Sequence, residues 1–169
     1  MAVEKHRAGA VAAPRWAVIT VSDTRTEADD LAGAQLVDRA RRAGHQVTRR
    51  VLVPDRVADI RDAVRRALGD AAVDAVLITG GTGLAPRDLT PEAVLPLLER
   101  EIAGFGELFR QLSFAQVGAA AMLSRATAGV VRDKAIFLLP GSPRALGLAM
   151  ERLILPEIGH LLAQIRRRG

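Results

Sequence analysis

Thr79, Gly80, Gly81, Thr82 and Gly83 set three glycines beside two threonines in five consecutive positions. Such a run lets backbone N–H groups approach an anion without interference from Cβ atoms, which is what a phosphate cradle requires. It matches neither the GxxxxGK[ST] loop nor the GxGxxG dinucleotide fingerprint. The only lysines are Lys5 and Lys134, neither of them near the glycines. Charge on a bound polyphosphate would therefore have to be met by backbone dipoles, arginine and a divalent ion held by carboxylates. Arg87 and Asp88 follow the glycines within a few residues, and Asp55 closes an earlier apolar run. Two carboxylates near a glycine cradle suit metal-assisted attack at phosphorus, because phosphoryl and nucleotidyl transfer mainly need positioning and charge neutralisation. Asp88 has an equally good structural reading: in RDLTPEA, Thr90 fits a helix N-cap, Pro91 the first helical position and Glu92 an acidic first turn.

Other chemistries find little support. There is no cysteine, so disulfides, thiolate metal sites and cysteine nucleophiles are excluded. His6, His45 and His160 form no ligand spacing, and no GxSxG elbow is present. The net charge of +5 invites a nucleic-acid reading. The arginine pairs 41/42, 49/50 and 65/66 are, however, interleaved with acids in a way that fits solvated helix faces. The five aromatics, Trp16, Phe105, Phe109, Phe114 and Phe137, are too few for a base-stacking platform. No nucleic-acid partner is expected.

The elements that must carry these residues alternate. WAVITVSD, HQVTRRVLVPD and VDAVLITGGTG are short runs rich in β-branched residues, each closed by turn formers, and AIFLLPGSP adds a fourth. Between the first two, Leu36, Val37 and Ala40 form an apolar stripe. Between the second and third, Val57, Ile60, Val64 and Leu68 recur at helical spacing. Apolar strands joined by amphipathic crossover helices predict an α/β fold with a mainly parallel sheet covered on both faces. Ligands of such sheets bind beyond the carboxyl ends of the strands. Four ends qualify: Ser22-Asp23, Pro54-Asp55, Thr79 to Gly83, and Pro140-Gly141-Ser142-Pro143. Turn and cap duties explain any one of them alone.

The length of 169 residues suits one domain, expected over 14–169 behind a flexible tail of residues 1–13. That tail lacks the apolar core of a secretory signal, and no apolar run reaches the roughly 18 residues of a membrane span, so a cytoplasmic protein without membrane association is expected.

Taken together, ITVSDTRTEADD, LITGGTGLAPRDLTPEA, GFGELFR, AAMLSRATAG and LPGSPRA resemble, in order and spacing, the MoaB/Mog family of molybdenum-cofactor biosynthesis proteins from about residue 14 onward. GFGELFR and LSRATAG are closer to the MoaB branch. The resemblance implies a Rossmann-like, three-layer molybdopterin-binding domain. Competent members of the family transfer AMP from MgATP to molybdopterin and release pyrophosphate; other members are non-catalytic molybdopterin carriers or scaffolds. It implies catalytic and Mg²⁺-binding roles for Asp55 and Asp88. Thr79, Gly80, Gly81, Thr82, Gly83 and Ser142 fall to the molybdopterin or its phosphate, and Ser22, Gly141 and Pro143 to the nucleotide. Ser142 stands where some relatives carry Asn, and Ala126, close to Ser124, where some carry Ser. The family is similar in forming homo-trimers or hexamers.

Residues 104–124 concentrate three of the four phenylalanines with alanines and a methionine. They read as a core helix pair or as a subunit interface. Further on, 144–155 and 156–165 read as two helices broken at Pro156, and Arg166 to Arg168 as a positive end for the last helix.

Overall fold

β1 (Arg15–Val21) is apolar along nearly its whole length, and from Trp16 to Val21 every residue is buried. A strand with no polar face must be covered on both sides. Trp16 and Val18 face a core that includes Leu36, Phe105, Leu146 and Ile158. Ala17 and Ile19 face the opposite core, with Ile60, Val64 and Ala93. The computed structural model describes residues 9–167 and places β1 inside a six-stranded sheet between two helical layers.

The chain runs β1, α1 (Leu31–Arg42), β2 (Gln46–Val53), α2 (Val57–Gly69) and β3 (Ala75–Thr79). After these come α3 (Thr90–Val94), β4 (Arg100–Glu101), α4 (Ala103–Val117), β5 (Thr127–Val131) and β6 (Lys134–Leu139). The last elements are α5 (Pro143–Ala149) and α6 (Leu155–Ile165). Strand order is β2-β1-β3-β6-β5-β4. The first four in that order are parallel, and β4 and β5 pair antiparallel. This is the expected Rossmann-like three-layer arrangement. Because β1 leads outward to β2 while β3 lies on its other side, the order reverses between β1 and β3, the kind of switch point near which α/β sheets bind ligands. Pairing of Val21 with Val53, Thr20 with Thr79 and Thr79 with Leu139 brings the four carboxyl ends level.

Four details depart from the sequence-based expectations. Arg49 and Arg50 lie on β2, not on a helix face, and Arg50 donates to the buried carboxylate of Asp30 at 2.9 Å. The C-terminal helix is not broken at Pro156. It passes through a π-helical turn over Met150–Ile154, where the Leu155 N–H donates to the Met150 carbonyl five residues back. Widening the turn just before the proline relieves the clash between its ring and the carbonyl of the preceding turn. Residues 104–124 form one long helix, α4, followed by a 3₁₀ stretch over Gly118–Leu123, not a helix pair. Phe105 and Phe109 enter the core, whereas Phe114 and Met122 are 63% and 76% exposed. Lastly, Arg166 does more than complement the helix end: it donates to Asp74 at 2.6 Å, beside Arg15 at 2.9 Å.

Of the expected tail, residues 1–8 lie outside the described residues. Within 9–13, the Val11 N–H donates to the Gly159 carbonyl on α6 at 3.1 Å, and Val11 packs against the core. No described helix is long and apolar enough to cross a membrane.

Candidate functional site

The loops beyond β1, β2, β3 and β6 are tied to one another by backbone. The Ser22 N–H donates to Val53 at 2.9 Å, the Gly80 N–H to Leu139 at 3.2 Å, and the Thr79 hydroxyl to the Pro140 carbonyl at 3.1 Å. A Cβ added to Gly141 would come within 3.8 Å of the Gly80 Cα. These contacts join the ends of β1 and β2 and those of β3 and β6, and Asp55, which accepts the Leu89 N–H, links the two pairs around the glycine run.

Two glycines in the run are required by geometry. Gly80 has φ +96° and Gly81 φ +61°, values that side chains rarely adopt. A Cβ on Gly80 would strike the Val21 carbonyl, and one on Gly81 would strike the Thr90 hydroxyl and the Asp55 carboxylate. The loop is pinned from the next helix: the Thr90 hydroxyl donates to the Gly80 carbonyl at 2.8 Å, and the Thr90 N–H to Gly81 at 3.0 Å. This corrects the expectation of Thr90 as a side-chain N-cap. Leu89 takes the cap position of α3 without a side-chain bond, while the threonine hydroxyl is committed to the glycine loop.

The structure brings Asp55 and Asp88 to the same place. Asp55 Oδ1 accepts the N–H of Leu89, the residue after Asp88, at 3.0 Å. The Asp55 N–H in turn donates to Asp23 Oδ1 at 2.9 Å. Asp88 Oδ2 accepts the Ala85 N–H at 2.9 Å and lies against Gly83, closing the loop on itself. Burial pushes the Asp55 carboxyl up from its ordinary value, and the negative charges of Asp88, Asp23 and Glu92 push it the same way, against the Leu89 N–H. Asp55 shares with Ser22, Asp23 and Arg25 a polar cleft of about 510 Å³. Ser22 and Ser142 have local duties: Ser22 Oγ accepts the N–H groups of Thr24 and Arg25, and Ser142 Oγ caps α5 by accepting the Ala145 N–H. Ser142 and Pro143 are exposed at the start of that helix, and Thr82 is buried in the loop.

Sequence reasoning passed over Arg125. Its Nε donates to the Gly83 carbonyl at 2.9 Å, Nη2 to the Asp88 carbonyl at 2.7 Å, and Nη1 to Glu92 at 2.5 Å. The bond from Arg125 holds the Glu92 carboxyl below its ordinary value. Arg125 also lines a second cleft, of about 490 Å³, with Pro91, Glu101, Gly106 and Arg110. It stands inside LSRATAG, one of the segments singled out above, but contacts with carbonyl oxygens leave no residue pattern to read. On the far side of Ser22, Asp30 caps α1 through the Gly33 N–H and accepts the Thr20 hydroxyl, both at 2.9 Å. Burial alone would raise the Asp30 carboxyl, but Gly33, Arg50 and Thr20 together hold it below its ordinary value.

Comparison with known proteins agrees with this architecture. Residues 17–160 match the family model described as "Probable molybdopterin binding domain". The chain is 48% identical, over 98% of each chain, to molybdenum cofactor biosynthesis protein B of Halalkalibacterium halodurans. Among solved structures, a molybdenum cofactor biosynthesis protein B is similar with a TM-score of 0.90 and 46% identity, covering 92% of this chain and 98% of that one. The tungsten cofactor synthesizing protein MoaB from Pyrococcus furiosus is similar with a TM-score of 0.85 and 34% identity, over 94% and 100%.

Proposed function

The chain belongs to the molybdopterin-binding domain family of molybdenum cofactor biosynthesis, and from that membership we propose that it binds molybdopterin and adenylylates it with MgATP. In this reaction an oxygen of the molybdopterin phosphate attacks the α-phosphorus of ATP, a new P–O bond forms, and pyrophosphate leaves. The observation that carries the reading is the junction of Asp55 and Asp88 across the Leu89 N–H, directly beside the glycine loop.

The donor set fits Mg²⁺. Among the described residues no group of three or more His, Cys, Asp or Glu could enclose a metal ion, but Mg²⁺ on nucleotide phosphates is commonly held by one or two carboxylates with phosphate oxygens and water. Burial is the main cause of the raised Asp55 carboxyl, and the smaller repulsion from Asp88, Asp23 and Glu92 is what a divalent cation would relieve. Asp55 and Asp88 would hold the ion, and when bound it would neutralise charge on the transferring phosphoryl group. The backbone of Gly80 to Gly83, with Thr79, Thr82 and Ser142, receives the molybdopterin phosphate. Ser22, in the polar cleft with Asp55, lies on the nucleotide side together with Gly141 and Pro143.

One observation favours a second reading, a non-catalytic molybdopterin carrier: both carboxylates already hold backbone N–H groups, Leu89 for Asp55 and Ala85 for Asp88. Pyrophosphate release on adding molybdopterin to protein, ATP and Mg²⁺ separates the two. Turnover by the wild type, reduced at least about a hundredfold in Asp55→Asn and Asp88→Asn, is the expected result. A wild type that binds molybdopterin and releases no pyrophosphate would leave only the carrier.

The site is also proposed to work within a homo-oligomer, a trimer or hexamer. Phe114, Val117, Met122 and Leu123, on the end of α4 and the 3₁₀ turn that follows, are large apolar residues left exposed.

A further inference from the structure

A trans peptide unit is planar, with its C=O and N–H pointing to opposite sides. The unit joining Asp88 to Leu89 is engaged on both: its carbonyl accepts Arg125 Nη2 at 2.7 Å, and its N–H donates to Asp55 Oδ1 at 3.0 Å. One peptide plane thus lies between the guanidinium and the carboxylate. Arg125 Nε takes the Gly83 carbonyl in the same way, which turns the Leu84 N–H to the opposite side of that peptide. Glu92 accepts the remaining arm of the guanidinium, so its orientation is held from three directions. A guanidinium suits this task because it is planar, permanently charged and presents its donors in a rigid fork.

We propose that Arg125 is a positioning residue for the two-aspartate site: from behind the loop it fixes the Gly83 and Asp88 carbonyls, and so sets the direction of the N–H that holds Asp55. A cation on the carbonyl polarises the peptide and strengthens the bond its N–H makes on the other side. Arg125 need not touch substrate. It acts through the Asp88–Leu89 peptide on Asp55 and through the Gly83–Leu84 peptide on the glycine cradle. The inference rests on the two-aspartate reading of the site, but its first consequence concerns the free protein.

The test therefore begins without substrate. In ¹⁵N-labelled protein, Arg125→Gln is expected to move the Leu89 amide proton upfield and to speed its exchange roughly tenfold, as a weakened charge-assisted pair would. Arg125→Lys, with one point donor, is expected to fall between, and it carries the test if the glutamine variant does not fold. In pyrophosphate release, Arg125→Gln is expected to lower kcat roughly ten- to a hundredfold with KM for ATP changed less than about twofold. Introduced into Asp55→Ala, which removes the acceptor of the Leu89 N–H, the same substitution is expected to cost less than about threefold more. An unmoved Leu89 amide in the folded variant, or losses that multiply in full in the double variant, would overturn the proposal. If the wild type shows no turnover, the adenylylation reading fails by itself, and the amide measurement together with the same cycle on molybdopterin affinity still decides the role of Arg125.

Discussion

The carboxylate of Asp55 and the backbone N–H of Leu89 are joined at 3.0 Å, so the end of β2 and the loop that follows β3 meet at a single hydrogen bond. Asparagine can keep this bond, because its side-chain carbonyl also accepts. It cannot keep the charge.

Asp55→Asn is accordingly expected to stabilise the free protein at neutral pH while impairing its chemistry. The folded-state carboxyl is raised above its ordinary value of 3.8. The unfolded chain therefore ionises first as pH rises, and the native state loses stability from there up through the folded value. Thermal melts should show a variant with higher Tm than wild type at pH 7.5 and a gap that narrows towards pH 4. A lower Tm at pH 7.5 would contradict the assignment of strain to this carboxylate.

Gly81→Ala is expected to cost more than Gly44→Ala. Both glycines have positive φ, +61° and +80°, but a Cβ at Gly44 meets nothing within 4 Å, whereas one at Gly81 meets Thr90 and Asp55. The backbone term alone is about 1–2 kcal/mol, and the contacts at Gly81 add to it. Urea denaturation of the two variants isolates the difference, and equal losses would show that the loop yields freely.

Acid stability is expected to depend on Asp74. Burial would raise this carboxyl, but the hydrogen bonds from Arg15 and Arg166 hold it well below its ordinary value. Its contribution is complete above about pH 4 and is lost as pH falls through the acid range below, where the native carboxylate must finally take up a proton. Asp74→Asn should therefore be less stable than wild type at pH 7 and show a flatter decline on acidification, measured by denaturant midpoints between pH 2 and 7.

Charge on the exposed end of α4 is expected to disrupt self-association. Phe114→Glu and Met122→Glu alter residues that contribute little to the monomer core, being 63% and 76% exposed. Light scattering coupled to size exclusion should find trimer or hexamer for the wild type and smaller species for the variants, with unchanged far-ultraviolet dichroism. A wild-type monomer would remove the interface.

β1, β2, β3 and β6 were legible because each run rich in apolar or β-branched residues ends in turn formers, and the candidate site was sought at their ends, since parallel strands deliver these to one place. Thr127–Val131 was harder. It holds a glycine and no alternation, and its hairpin to β6 turns on Arg132 and Asp133, with Arg132 at φ 55°, a conformation usually supplied by Gly or Asn. Thr90 was misread for a different reason: TPEA fits a capped helix start so well that local preference concealed the tertiary demand of the Gly80 carbonyl. Arg125 was invisible because its three partners are two carbonyls and a glutamate drawn together only by the fold.

The two outer strands carry a consequence for how the protein behaves in crowded solution. An unpaired strand edge is a template on which another molecule can build. Here β4 offers only two residues, Arg100 and Glu101, both charged and exposed, and β2 presents Arg49 and Arg50 midway along its length. Neither border is a flat apolar ribbon. Molecules that collide border to border meet charged side chains or too short a ladder to hold, so the sheet resists growing from one molecule into the next.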